Sequence, residues 1–161
     1  MKRFLSIAVL VLCALVSHAQ RQMAFPFQGG KEVMMTFFKN NVVIPDALKK
    51  QNAAGTAILK FTADDKGAIQ KVVVYYADDY SIALPFIDAL KRSDRKWVIP
   101  DEVKTYDFVI SFTLDRSPAT AKAAATARST ADANRAHRPI FASNPIPLDM
   151  ATLLPAIITT Y

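Results

Sequence analysis

Apolar and polar positions alternate in two long stretches of the chain. Over residues 55–63, Ala57, Leu59, Phe61 and Ala63 alternate with Thr56, Ile58, Lys60 and Thr62, the period of a strand with one face buried. Asp64-Asp65-Lys66-Gly67 supplies turn residues, and Gly67 is free to take a positive φ. The return strand starts at Ile69 and resumes at Val72 and Val74. That three-residue step predicts a β-bulge near Gln70 and Lys71. A third strand is predicted over residues 106–114, where Tyr106, Phe108, Ile110, Phe112 and Leu114 alternate with Asp107, Val109, Ser111 and Thr113.

Helical spacing fills the intervals. After Gly29-Gly30, the residues Val33, Met34, Phe37 and Phe38 recur three and four apart, and Asn40-Asn41 marks a stop. Pro45 suits the start of a short helix reaching about residue 51. Asp78-Asp79-Tyr80-Ser81 can cap another helix whose apolar face is Phe86, Ile87 and Leu90. Proline inside a helix costs about 3 kcal/mol, so Pro85 is expected in its first turn. Trp97 lies in an extended segment before Pro100 and is expected at a junction of sheet and helix. The order helix, hairpin, helix, strand predicts an α+β domain of two layers, a three-stranded antiparallel sheet packed by helices, over residues 25–115. Such a sheet has two open edges, which pair with any extended backbone that arrives.

Residues 116–161 differ in character. Half of residues 119–136 are alanine, mixed with Thr, Ser and Arg and lacking bulky apolar side chains. Residues 139–161 carry Pro139, Pro145, Pro147 and Pro155 among Ile140-Phe141, Leu148, Leu153-Leu154 and Ile157-Ile158. This end is expected to be solvated and disordered; the competing reading docks it on the domain.

Residues 1–19 read as a secretory signal peptide: Lys2 and Arg3, an apolar run of 13 residues at 4–16, and small residues at Ser17 and Ala19. The run is shorter than the roughly 18–20 residues that span a bilayer. The expectation is a periplasmic protein cleaved after Ala19, the alternative an inner-membrane anchor. Cleavage removes Cys13, leaving no cysteine and His137 as the sole histidine, which excludes disulfides and thiolate metal sites. It also lowers the formal charge from +6 to +4, and residues 116–138 alone carry +4. The folded part is near neutral and has no basic–aromatic platform, so nucleic acid is not an expected partner.

No residue set points to catalysis, a cofactor or a metal. Asp64-Asp65 and Asp78-Asp79 are turn residues, His137 lies in the low-complexity tail, and Ser81 and Ser111 have no histidine to activate them.

In order and spacing, these elements resemble the C-terminal domain of TonB-type energy transducers in the form common in Bacteroidota. The resemblance covers residues 25–114. Its carriers are Phe25-Pro26 with Gly29-Gly30, Ile44-Pro45 with Ala47, residues 55–61, Gly67-Ala68-Ile69, the helix after Pro85, Lys96-Trp97 with Pro100, and the strand at 108–114. It implies a non-catalytic module linked to TonB-dependent outer-membrane transport. In such modules an edge strand captures an extended peptide, the TonB box of an outer-membrane transporter, by β-augmentation. Carried onto this chain, the pairing edge is Tyr106, Phe108, Val109, Ile110, Ser111, Phe112 and Thr113. Another periplasmic protein is the other partner expected for that edge. The alternative is a structural, self-associating protein whose edge pairs with a second copy, as a homodimer, or with its own C-terminal tail. The chain departs from the family in having Ile44 where a Tyr is usual. Only about five residues separate the cleavage site from Phe25, a reach under about 20 Å, so an anchored spacer is not expected.

Overall fold

Gly29, at φ +86, turns the chain into the first helix, α1 (Gly30–Asn41), which buries Met34 and Phe38. A computed structural model describes residues 25–100, 103–116, 139–142 and 151–161. The signal-like leader, His137 and the whole alanine-rich segment of residues 119–136 lie outside the described residues. Pro45 precedes the short helix α2 (Asp46–Lys50), which buries Leu48. The hairpin follows as β1 (Gly55–Asp64) and β2 (Ile69–Ala77), then α3 (Tyr80–Arg92) and β3 (Thr105–Asp115). Three short strands close the order: β4 (Ile140–Phe141), β5 (Ala151–Leu153) and β6 (Ile157–Thr160). Among the described residues no helix is long and apolar enough to cross a membrane.

The fold is mixed α+β, and among the described residues one sheet has six strands. β1 pairs antiparallel with β2 on one side and with β3, over ten positions, on the other. Its inward residues Ala57, Leu59, Phe61 and Ala63 are 0–1 % exposed, as the alternation predicts. Gln70 is the extra residue where Thr62 pairs with Lys71 and Ala63 with Ile69, so the bulge lies where the broken spacing places it. A second bulge, at Tyr75 between the Ile58–Tyr76 and Leu59–Val74 pairs, has no signal in the sequence.

The helices cover one face of the sheet, and the space between is filled with rings. Trp97 is 2 % exposed and meets Phe61 at 4.4 Å, Phe27 edge-on at 5.1 Å and Phe108 at 5.5 Å between centroids. Phe86 of α3 stacks on Phe112 at 4.7 Å. A buried indole needs an acceptor. Trp97 Nε1 donates to Ser93 Oγ at 3.0 Å, and that hydroxyl donates to Leu90 O at 2.5 Å. The buried Ser93 is thereby explained.

Two expectations differ from the structure. Pro85 lies inside α3, because the helix starts five residues earlier at Tyr80. Asp79 caps that start by accepting from Ser81 N at 2.8 Å. Burial of Ile82, Ala83, Pro85, Phe86, Ala89 and Leu90 along the same face offsets the bond that proline lacks. The sheet has six strands where three are expected, and the additional three all come from the C-terminal region, in the order β4-β2-β1-β3-β5 with β6 also on β3.

Gly67 shows how tightly the hairpin turn is held. Its φ is +73, its carbonyl accepts Arg95 N at 2.9 Å, and a Cβ there would lie 2.3 Å from Trp97 O. Gly67→Ala must therefore move backbone as well as adopt a left-handed conformation. It should lower stability by about 2 kcal/mol or more in denaturant titration.

Candidate functional site

The expected recognition edge is β3, and the structure makes it an interior strand. Tyr106, Phe108, Val109, Ile110, Ser111, Phe112 and Thr113 do lie together on β3. Its outer border, however, carries the C-terminal chain in parallel. β5 aligns Ala151, Thr152 and Leu153 with Asp107, Phe108 and Val109, and β6 aligns residues 157–160 with residues 112–115. The open border expected for these residues is thus corrected: their outward main-chain groups face strands of the same molecule. Leu154 N donates to Val109 O at 2.8 Å between the two ladders.

The register explains how a proline-broken segment can do this. From the Val109–Leu153 pair to the Phe112–Ile157 pair, two residues of β3 face three of the C-terminal chain. The extra residue is accommodated around Pro155, which has no N–H to give to a ladder. The slip also resets which face the side chains occupy. Leu154 and Ile157 are three apart, an odd separation that would place them on opposite faces of a regular strand. With the slip, both turn toward the helices and join the core at 8 % and 2 % exposed. Leu153 and Ile158 face the other way and are two-thirds exposed.

Polar contacts fasten the ends of this seam. Thr152 Oγ1 donates to Tyr106 OH at 3.1 Å, and Tyr161 OH donates to Ala53 O at 2.7 Å. Burial raises the Tyr161 phenol above its ordinary value, against the opposing charge of Arg116. Thr159 Oγ1 and Arg116 Nε are buried near the same end with no hydrogen-bond partner among the described residues.

On the sheet face away from the helices, Asp107 binds Lys60 at 2.5 Å and accepts Thr62 Oγ1 at 2.6 Å. Partial burial pushes the Asp107 carboxyl up, but hydrogen bonds from Lys60 and Thr62 and the charges of Lys60 and Lys71 outweigh it. The net pKa is lowered.

Three of the four turn carboxylates, those of Asp64, Asp78 and Asp79, accept backbone amides. Asp64 accepts Lys66 N, Ala68 N and Gln70 Nε2 at 2.7–2.9 Å. The Ala68 amide is the largest influence holding its pKa below the ordinary value. Asp78 accepts Thr56 N at 2.7 Å and the Tyr76 hydroxyl, which raises the Tyr76 phenol. Among the described residues no group of three His, Cys, Asp or Glu side chains is placed to hold a metal ion.

Leu154, Pro155, Ile157 and Tyr161 are the positions of this seam that local pattern alone does not assign. Their signal is the pair of apolar doublets, Leu153-Leu154 and Ile157-Ile158, each supplying one inward and one outward side chain. No family model, curated protein or solved structure matches this chain.

Leu154→Ala should lower stability by about 2–4 kcal/mol, while Leu153→Ala should change it by under about 0.5 kcal/mol. Equal, negligible effects in denaturant titration would mean that the C-terminal chain is not docked. Asp107 has a depressed pKa in the folded state, so its contribution is complete above the ordinary value of 3.8 and is lost as pH falls through the lower folded value. Asp107→Asn should lower stability at neutral pH by about 1 kcal/mol and flatten the acid limb of the stability profile.

Proposed function

We propose that this chain is a non-catalytic, exported module that holds an extended segment against β3 by β-augmentation, and that its own C-terminal strands occupy that position in the resting molecule. The supporting observation is the parallel ladder of β5 and β6 on β3, with Leu154 and Ile157 seated in the core. Main-chain pairing supplies affinity and the two apolar seats supply selectivity, which is the logic of strand addition at a sheet edge. The resemblance to TonB C-terminal domains supports the same border as the recognition element. It also suggests the class of competitor: a TonB-box-like peptide of an outer-membrane transporter, or a similar extended segment of another periplasmic protein.

A competitor must displace a tethered strand. Asp115 and Ala151 are separated by 35 residues of the same chain, within which Ile140–Phe141 pair with β2, and a strand joined covalently to its partner competes at an effective concentration of about the millimolar range. A peptide in trans therefore binds the complete chain far more weakly than a chain whose C-terminal strands are missing. The same geometry lets a second copy supply the strands, which gives a homodimer by exchange.

The experiment compares the complete chain with one ending at residue 150, using a synthetic peptide of residues 151–161. The shortened chain should take up the peptide saturably, with amide shifts at Val109 and Phe112. The complete chain should bind it at least about ten-fold more weakly. A folded shortened chain that ignores the peptide would overturn the proposal. The mass of the exported protein tests the periplasmic assignment, which requires a chain beginning at Gln20.

A further inference from the structure

The C-terminal region reaches both borders of the sheet, and the connection between them is short. β4 lies on β2, and just beyond it Ala142 N donates to Tyr75 O at 3.0 Å. β5 lies on β3 and begins at Ala151, opposite Asp107. In the order β4-β2-β1-β3-β5 the two are four strand spacings apart, about 19 Å. Measured against β1, Ala142 stands level with residues 58–59 and Ala151 with Thr62, an offset of about 10 Å along the strands. The direct span is therefore about 22 Å. From Ala142 to Ala151 the chain has nine residue steps, a reach of at most about 32 Å.

That reach excludes all routes but one. Passing around the hairpin turn at residues 65–68 requires more than about 40 Å, and the opposite end of the sheet requires more still. A path over the outside of the helices adds at least about 20 Å, one helix diameter up and another down. The space between helices and sheet is filled, with Leu59, Phe61, Phe108 and Ile110 fully buried there. The connection has only the other face of the sheet to cross.

That face suits an extended apolar segment. Val73, Lys60, Val109 and Leu153 stand in one register row directly across it, and Asp107 already meets the charge of Lys60. Ile58, Tyr76 and Phe141 form a second row, with the two rings 5.2 Å apart. Val109 is only 7 % exposed, yet it stands outside the core on the helix side. Phe141 and Leu153, at the two borders, are two-thirds exposed. The middle of the face is shielded and its borders are not. In the connecting sequence, Ile146, Leu148 and Met150 alternate with Pro147 and Asp149, the period of an extended segment with one apolar side. Pro145 and Pro147 also keep Asn144 and Ile146 out of the helical region.

We propose that residues 143–150 cross the helix-free face of the sheet over Val73, Lys60 and Val109, with Ile146 and Leu148 turned onto the two valines. The chain then covers its own sheet on both faces, and β4 and β5 are held as one unit across it. This placement requires β4 and β5 where they lie but not the recognition role proposed for β3.

Methyl nuclear Overhauser contacts in the complete chain test this. Contacts from Ile146 or Leu148 to Val73 or Val109, unchanged on dilution, are the expected result. Leu148→Asp should remove them and lower the folding equilibrium constant about ten-fold, as loss of a partly buried leucine allows. Contacts from these methyls to α1 or α3 instead, or no contact with either valine in the natural chain, would overturn the proposal. So would contacts seen only between differently labelled copies, which would assign the face to a second molecule, or a folding constant unaltered by Leu148→Asp.

Discussion

A strand has two borders of donors and acceptors, and this fold depends on how the outer border of β3 is satisfied. The inner border is taken by β1 over ten positions. The outer one is taken by a segment that returns from 35 residues away and runs parallel. Parallel strands cannot be joined by a tight turn, so this pairing requires a long connection. Once it forms, β6 lies against α1, and Leu154 and Ile157 join the core that contains Phe108 and Phe112. The hydrogen-bonded seam and the apolar seal are parts of one arrangement, phased by the slip at Pro155.

What could be read from the sequence was local. Alternation at Ala57, Leu59, Phe61 and Ala63 identifies an inward face because a strand reports its burial every second residue. The broken step from Ile69 to Val72 locates a bulge for the same reason. Pro85 misleads because its rule is also local, whereas the helix is fixed by the Asp79 cap and six buried positions. The partner of β3 was harder to read. Nothing near residue 106 states that residue 151 will pair with its neighbourhood, and four prolines make the C-terminal region resemble a solvated end. The doublets at 153–154 and 157–158 hold the information, but only a register slip makes them a coherent inward face. The bulge at Tyr75 leaves no comparable trace.

The two borders of the sheet are managed differently. That of β3 is covered along most of its length by β5 and β6, with their apolar side chains in the core. That of β2 is bent by two bulges and held at its ends by Asp94 and β4, with no strand on residues 70–74 among the described residues. Covering and bulging are both established ways to keep a sheet from pairing indiscriminately.

Amide hydrogen exchange at Leu154 in the intact chain tests the central claim most directly. Its N–H donates to Val109 O, so the account predicts exchange slowed to the level of the β1 and β3 amides, because release requires opening the seam. Exchange at the rate of an unstructured peptide would show that the C-terminal chain does not cover β3.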